Sequence, residues 1–399
     1  MIQLSNRLLS MEEAATLAMS RISRELVAQG KDIISLSLGE PDFFTPQFIK
    51  DAAIEAMNQN FTKYTPVSGY DDLRESIADK FKRDNNLTYT KDQIVVSTGA
   101  KQSIANVVMS CINNGDEVII PAPYWVSYIE IVKLAEGIPV IVNAEIDTNF
   151  KITAAQLEKA ITPKTRMMIF STPCTPTGSV YSKEELKSLA TVIAKYPNMV
   201  VISDEIYETL CYDGRSGTIV AGLSEEAFDR TITVSGFSKA YAMTGWRLGY
   251  AAGPKHIIAA MDAYQGHATG NTCSITQYAG LEALTGDQSG VEEMRLAFEK
   301  RRKLVLSILD DIPGVRYAVP HGAFYVLADV SALLGKSFRG ERLTSDDRFS
   351  ELLMEHALVS VVPGSGFYAP GCVRISYAID EGRLAEAGRR IKAFIEELV

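Results

Sequence analysis

The chain has 399 residues, 46% of them hydrophobic and 22% charged, with a formal net charge of −9. That length exceeds one small core and suits two lobes, or one large α/β domain with an attached layer. The acidic balance excludes non-specific nucleic-acid binding, which needs a basic footprint, and no apolar run reaches the roughly 18 residues of a membrane helix. Five scattered cysteines (Cys111, Cys174, Cys211, Cys273, Cys372) form no CxxC pair, which reads as a reducing compartment. The N-terminus lacks a charged-then-apolar signal pattern, so a cytoplasmic protein is expected. The four histidines have no metal-ligand spacing, and no metal is expected.

In chain order, a helix is expected around 11–29, followed by Ile33-Ile34-Ser35-Leu36, both joining a C-terminal lobe or a partner subunit. From about 90 to 255, β-branched runs alternate with helical stretches, giving strands at 93–97, 116–121, 138–142, 166–170, 199–203, 231–235 and 248–253. Ser182-Lys183-Glu184-Glu185 is a capping box, opening a helix that places Leu186, Leu189, Ala190 and Ile193 on one face. Such alternation implies a mostly parallel sheet covered by helices on both sides. A charged helical pattern covers 290–310. After Pro313-Gly314 the reading turns antiparallel, with strands in Gly322-Ala323-Phe324-Tyr325-Val326-Leu327, Val359-Ser360-Val361-Val362 and Val373-Arg374-Ile375-Ser376-Tyr377. A last helix starts near Glu381. The expected organisation is an α/β protein with a large domain at 45–285 and a smaller α+β domain at 286–399. Residues 1–44 serve as an N-terminal arm and part of the smaller domain.

Two runs carry the chemistry: Ser203-Asp204-Glu205-Ile206-Tyr207, and Ser235-Gly236-Phe237-Ser238-Lys239 continuing to Met243-Thr244-Gly245-Trp246-Arg247. Each directly follows a β-branched run, and side chains at the carboxyl ends of parallel strands point into the ligand crevice of an α/β sheet. A carboxylate, a phenol, an amine and a guanidinium converging there suit a cofactor with a basic ring nitrogen, a ring hydroxyl, an aldehyde and a phosphate. Pyridoxal phosphate (PLP) has all four. A partly desolvated Lys239 has a lowered pKa and can form a Schiff base at neutral pH. Asp204 would pair with a protonated ring nitrogen, and Tyr207 would meet the ring oxygen. Taken singly, Lys239 reads as a surface lysine, Asp204 as a helix cap at about even odds, and Tyr207 as a core aromatic. Their shared neighbourhood reverses those readings.

Arg247 fits a bidentate phosphate contact, with Ser235 and Ser238 as further donors. Thr98-Gly99-Ala100-Lys101-Gln102 turns from a strand into a helix and offers free backbone N–H groups to the same phosphate. Trp125, at a strand end, either stacks on a planar ring or fills the core. Arg374 stands in an apolar strand, so its charge needs a substrate carboxylate or a structural Asp or Glu. Pro363-Gly364-Ser365-Gly366 tempts a dinucleotide reading, which fails because another strand follows instead of a helix.

With these residues in place, the chain resembles the class I, fold-type I PLP-dependent aminotransferases, in the aspartate aminotransferase branch common in bacteria. The likeness runs nearly end to end, from Ser37-Leu38-Gly39-Glu40-Pro41-Asp42-Phe43 through Lys63-Tyr64-Thr65-Pro66-Val67-Ser68-Gly69 to Val373-Arg374-Ile375-Ser376-Tyr377-Ala378. The resemblance implies that Lys239 holds the cofactor as a Schiff base and shuttles the substrate proton. It implies Asp204 on the ring nitrogen, Tyr207 on the ring oxygen and Trp125 on the ring face. Ser235, Arg247 and the backbone of Ala100 and Lys101 would hold the phosphate, with Tyr64 from the other subunit of a homodimer. Arg374, helped by the Gly39 backbone, would clamp the substrate α-carboxylate, and Lys101 would reach a second carboxylate. The implied reaction is L-aspartate with 2-oxoglutarate to oxaloacetate and L-glutamate, in two ping-pong halves. An aromatic or prephenate aminotransferase is the same-fold alternative. A non-catalytic PLP-binding regulator is disfavoured, because no basic DNA-binding extension is present.

One position departs from the family pattern. Asn-x-Pro-x-Asn-Pro-Thr-Gly appears here as Ser171-Thr172-Pro173-Cys174-Thr175-Pro176-Thr177-Gly178. The second Asn donates its amide to the ring oxygen, and Thr175 is shorter. Losing one donor to a phenolate is worth about 1–3 kcal/mol, so an active enzyme with altered pH behaviour is expected.

Overall fold

Seven strands form the larger sheet of the computed structural model, which describes residues 3–11, 15–215 and 217–399. They are β1 (Ile94–Ser97), β2 (Glu117–Ala122), β3 (Ile138–Asn143), β4 (Thr165–Ser171), β5 (Val200–Asp204), β6 (Thr231–Gly236) and β7 (Gly249–Ala252). Each lies within two residues of its expected range. The spatial order is β1-β7-β6-β5-β4-β2-β3; β7 runs antiparallel to both its neighbours and every other pairing is parallel.

Both faces of this sheet are buried, which is why its strands read as continuous apolar runs. Val118 and Ile120 pack with Ile104 and Val107 of the helix Ala100–Cys111. Ile119 points the other way, into a layer with Leu186 and Leu189 of the helix Lys183–Ile193. That helix opens with the expected capping box: Glu185 N–H donates to Ser182 Oγ at 3.2 Å, and Ser182 N–H donates to the Glu185 carboxylate at 2.7 Å.

The second sheet is antiparallel. Its strands β8 (Arg316–Tyr317), β9 (Tyr325–Asp329), β10 (Val362–Pro363) and β11 (Cys372–Ser376) lie in the order β10-β11-β9-β8. The helices Ser289–Asp310 and Glu381–Glu396 cover it through Phe298, Val305, Leu309, Leu384, Ile391 and Phe394. Two boundaries differ from expectation. β9 starts at Tyr325 rather than Gly322, because His321 and Gly322 spend their N–H groups on the Gly178 carbonyl at 2.8 and 3.0 Å. The run 359–362 splits: Val359–Ser360 pairs in parallel with Ile34–Ser35, and Val362 passes to β11. Ile34 and Ser35 thus join the smaller lobe of their own chain. The N-terminal helix is described over Ala15–Ala28 and seats Met19, Ile22 and Leu26 on Ile33, Met354 and Leu358; the expected helical residues 12–14 lie outside the described residues. Gly364–Phe367 makes a single 3₁₀ turn and β11 follows, so no helix is there for a dinucleotide site.

Candidate active site

β5 and β6 run parallel with Asp204 opposite Val234, so both chemistry-bearing runs leave the same edge of the sheet. Gly236 on β6 faces Gly249 on β7, and a Cβ on Gly236 would come within 2.9 Å of the Gly249 Cα. That close approach lets the chain turn directly towards Lys239. Together with the start of the helix Ala100–Cys111, the segment 37–40 and β11, the two runs enclose a cleft of about 440 Å³. Lys239, Asp204, Tyr207, Thr175, Trp125, Lys101, Ala100, Arg247, Gly39 and Arg374 all line it. Ser235 and Tyr64 do not.

Asp204 sits at the cleft floor, held from behind. Its Oδ2 accepts from the Tyr128 hydroxyl at 2.6 Å and its Oδ1 from the Ile206 N–H at 3.2 Å. Burial pushes this carboxyl up to about 6, against the two donors and the Lys239 charge, which favour the anion. A cationic N–H in the cleft would supply what burial removes. Burial likewise pushes the Lys239 ammonium down to about 8, with Glu40 opposing the shift and Arg374 and Arg247 adding to it. Lys239 Nζ donates to the Gly39 carbonyl and lies 5.8 Å from the centres of the Tyr207 and Phe324 rings.

The other end of the cleft suits an anion. Gly99 has φ +84°, and any Cβ there would overlap the Arg247 guanidinium, so glycine lets that side chain lie against the start of the helix Ala100–Cys111. Arg247 Nη1 donates to the Thr244 carbonyl at 2.8 Å, and among the described residues no carboxylate pairs with this exposed guanidinium. Ser235 corrects an expectation. It lies on β6, and its Oγ donates to the Glu205 carbonyl at 3.3 Å and to Glu208 at 3.1 Å, within the layer below. Ser238, three residues on, lines the cleft in its place.

Arg374 is 2% exposed, and among the described residues it has no carboxylate partner. Its Nη2 donates to the Ser37 carbonyl at 2.7 Å, its Nε has no acceptor, and its guanidinium lies 4.5 Å from the Tyr325 ring centre. A buried cation left this way is costly unless an anion arrives. Of the two readings of Arg374, the structural Asp or Glu is therefore excluded among the described residues. Lys101 sits 5.0 Å over the Trp125 ring, its ammonium lowered by partial burial and by Arg247. Tyr64 is 99% exposed, away from the cleft of its own chain.

Several cleft residues were not singled out from sequence. Tyr128 supports Asp204 from 76 positions away. Tyr325 lines the cleft from β9, and Ser20 and Arg24 from the N-terminal helix. Nothing local marks these three.

The family profile described as "Aminotransferase class I and II" matches residues 31–391. An aspartate aminotransferase of Bacillus sp. (strain YM-2) is 48% identical, covering 98% of this chain and 99% of its own. An aspartate/prephenate aminotransferase of Cereibacter sphaeroides is 47% identical, covering 98% of each. Among solved structures, the aspartate aminotransferase from Rhizobium meliloti superposes with TM-score 0.97 at 42% identity over 100% of both chains. That from Thermus thermophilus, solved with maleate, gives 0.93 at 40% identity, over 99% of this chain and 100% of its own.

Proposed function

The chain belongs to the aminotransferase class I and II family, and from that premise we propose that it transfers an amino group between L-aspartate and 2-oxoglutarate, using PLP held in the cleft. The observation that carries this is one cleft holding a half-buried amine, a buried carboxylate and a buried guanidinium without a carboxylate partner among the described residues: Lys239, Asp204 and Arg374. These residues fit the cofactor, because among the described residues neither Asp204 nor Arg247 forms an ion pair. When bound, PLP supplies an aldehyde and a ring that accepts electrons.

This chain's residues supply the rest. Asp204 would hold the proton of the ring nitrogen, and Tyr207 would donate to the ring oxygen. Arg247, Ser238 and the N–H groups of Ala100 and Lys101 hold the phosphate, while Trp125 covers the ring. Lys239 Nζ would take the proton from the substrate Cα and carry it as an ammonium, while bound PLP would supply the electron-accepting ring. Arg374 and the Gly39 backbone orient the α-carboxylate, and Lys101 receives the second carboxylate of aspartate or glutamate. Tyr64, exposed and remote from its own cleft, serves the phosphate of a second copy in a homodimer with shared sites. Among the described residues no helix is long and apolar enough to cross a membrane, and a cytoplasmic location is proposed. Aromatic amino acids and prephenate form the second reading, favoured by the aspartate/prephenate relatives.

Three outcomes follow. Steady-state comparison of aspartate, phenylalanine, tyrosine and prephenate with 2-oxoglutarate or glutamate should give aspartate the highest kcat/KM; an aromatic substrate ahead of it selects the second reading. Arg374→Leu should lower kcat/KM for aspartate about 100-fold, the worth of a bidentate charge-assisted contact; a change under threefold would remove Arg374 from the substrate. Uptake of PLP by the apoprotein, followed by stopped-flow absorbance, should quicken as pH rises through about 8, where the Lys239 amine becomes free. A midpoint at the ordinary lysine value would put that amine in water.

A further inference from the structure

Two phenols meet in the cleft that Thr175 also lines. Tyr207 Oη and Tyr325 Oη are 2.9 Å apart, with their rings edge to face at 5.9 Å. Burial keeps both phenols protonated, with Thr175 working slightly against it at Tyr207. All three residues are buried and line the cleft. Arg374 lies on the Tyr325 ring at 4.5 Å, and glycine at 39 leaves room for its hydroxyl, since a Cβ there would stand 3.0 Å from it.

Two phenols sharing one hydrogen bond can arrange their protons in either sense. An acceptor-only oxygen on the far side of Tyr207 removes that freedom, since Tyr207 has one proton to give. Its bond to Tyr325 must then run from Tyr325 towards Tyr207. Resting on the PLP reading above, we propose that Tyr325 is a positioning residue, donating to the Tyr207 oxygen and so strengthening Tyr207 as donor to the cofactor's ring oxygen. Chains of hydrogen bonds strengthen one another in this way. The direct amide that the shorter Thr175 forgoes is thereby replaced by a reinforced phenol.

The test is a pH titration of the visible band of the PLP-loaded protein in four forms: parent, Tyr325→Phe, Thr175→Asn, and the double variant. Weaker donation to the ring oxygen raises the midpoint. Tyr325→Phe should raise it by about 0.5–1 pH unit in the parent. With Asn at 175 donating directly, the same change should produce less than half that shift. A Tyr325→Phe midpoint that is unchanged or lower overturns the relay, as does an equal shift in both backgrounds. A parent protein that takes up PLP without any visible band would instead overturn the cofactor reading itself, and this proposal with it.

Discussion

Lys239→Ala is expected to abolish the visible band of the PLP-loaded protein and to lower transamination by about 10⁴-fold or more. The amine has two tasks that no neighbour can take over. It is the cleft's amine nucleophile, brought down to about 8 by desolvation, and it is the base assigned to the substrate Cα. The other cations lining the cleft have different work: Lys101 stands over Trp125, Arg247 lies against Gly99, and guanidiniums do not deprotonate in proteins. The measurement is an absorbance spectrum with a coupled assay for the oxo acid product. Turnover at the parent rate in Lys239→Ala would refute the assigned mechanism. Added primary amines offer a second readout, since they should restore part of the rate if a proton carrier is what was lost.

The second large effect is expected at Asp204. Asp204→Asn keeps the size and the Tyr128 contact but removes the charge beneath the ring nitrogen. Breaking a buried charge pair is worth about 3–5 kcal/mol, and each 1.36 kcal/mol is tenfold in rate, so kcat should fall about 10³-fold with PLP still bound. Thermal melting with and without PLP checks that the fold survives. A kcat within tenfold of the parent would mean that the carboxylate does not hold the ring nitrogen's proton. Tyr128→Phe should act in the same direction but more weakly, because it removes one neutral donor and not the charge.

Much of this site was legible because its chemistry sits where strands end. A β-branched run followed at once by Ser203-Asp204 or Ser235-Gly236 marks both the end of a parallel strand and the crevice beyond it. Arg374 stood out for a related reason: a guanidinium between Val373 and Ile375 has no place in an apolar strand unless an anion comes to it. Ser235 was misread because alternation decides its direction. Successive side chains of a strand face opposite sides, and only the folded register places this one against Glu208 and leaves Ser238 for the cleft. The contacts from Tyr128 to Asp204 and from Tyr325 to Tyr207 span 76 and 118 positions. No local periodicity encodes such pairs; they appear only when distant segments of the chain pack. The split of the run 359–362 has the same origin, since Ile34–Ser35 captures one half from across the chain.

Asp204 and Lys239 meeting on one cofactor is tested most directly by mixing the PLP-loaded protein with L-aspartate alone. Without an oxo acid acceptor, the visible band should collapse with stoichiometric release of oxaloacetate, and 2-oxoglutarate should restore it as glutamate appears. A spectrum that aspartate leaves unchanged, with no oxaloacetate released, would contradict that assignment.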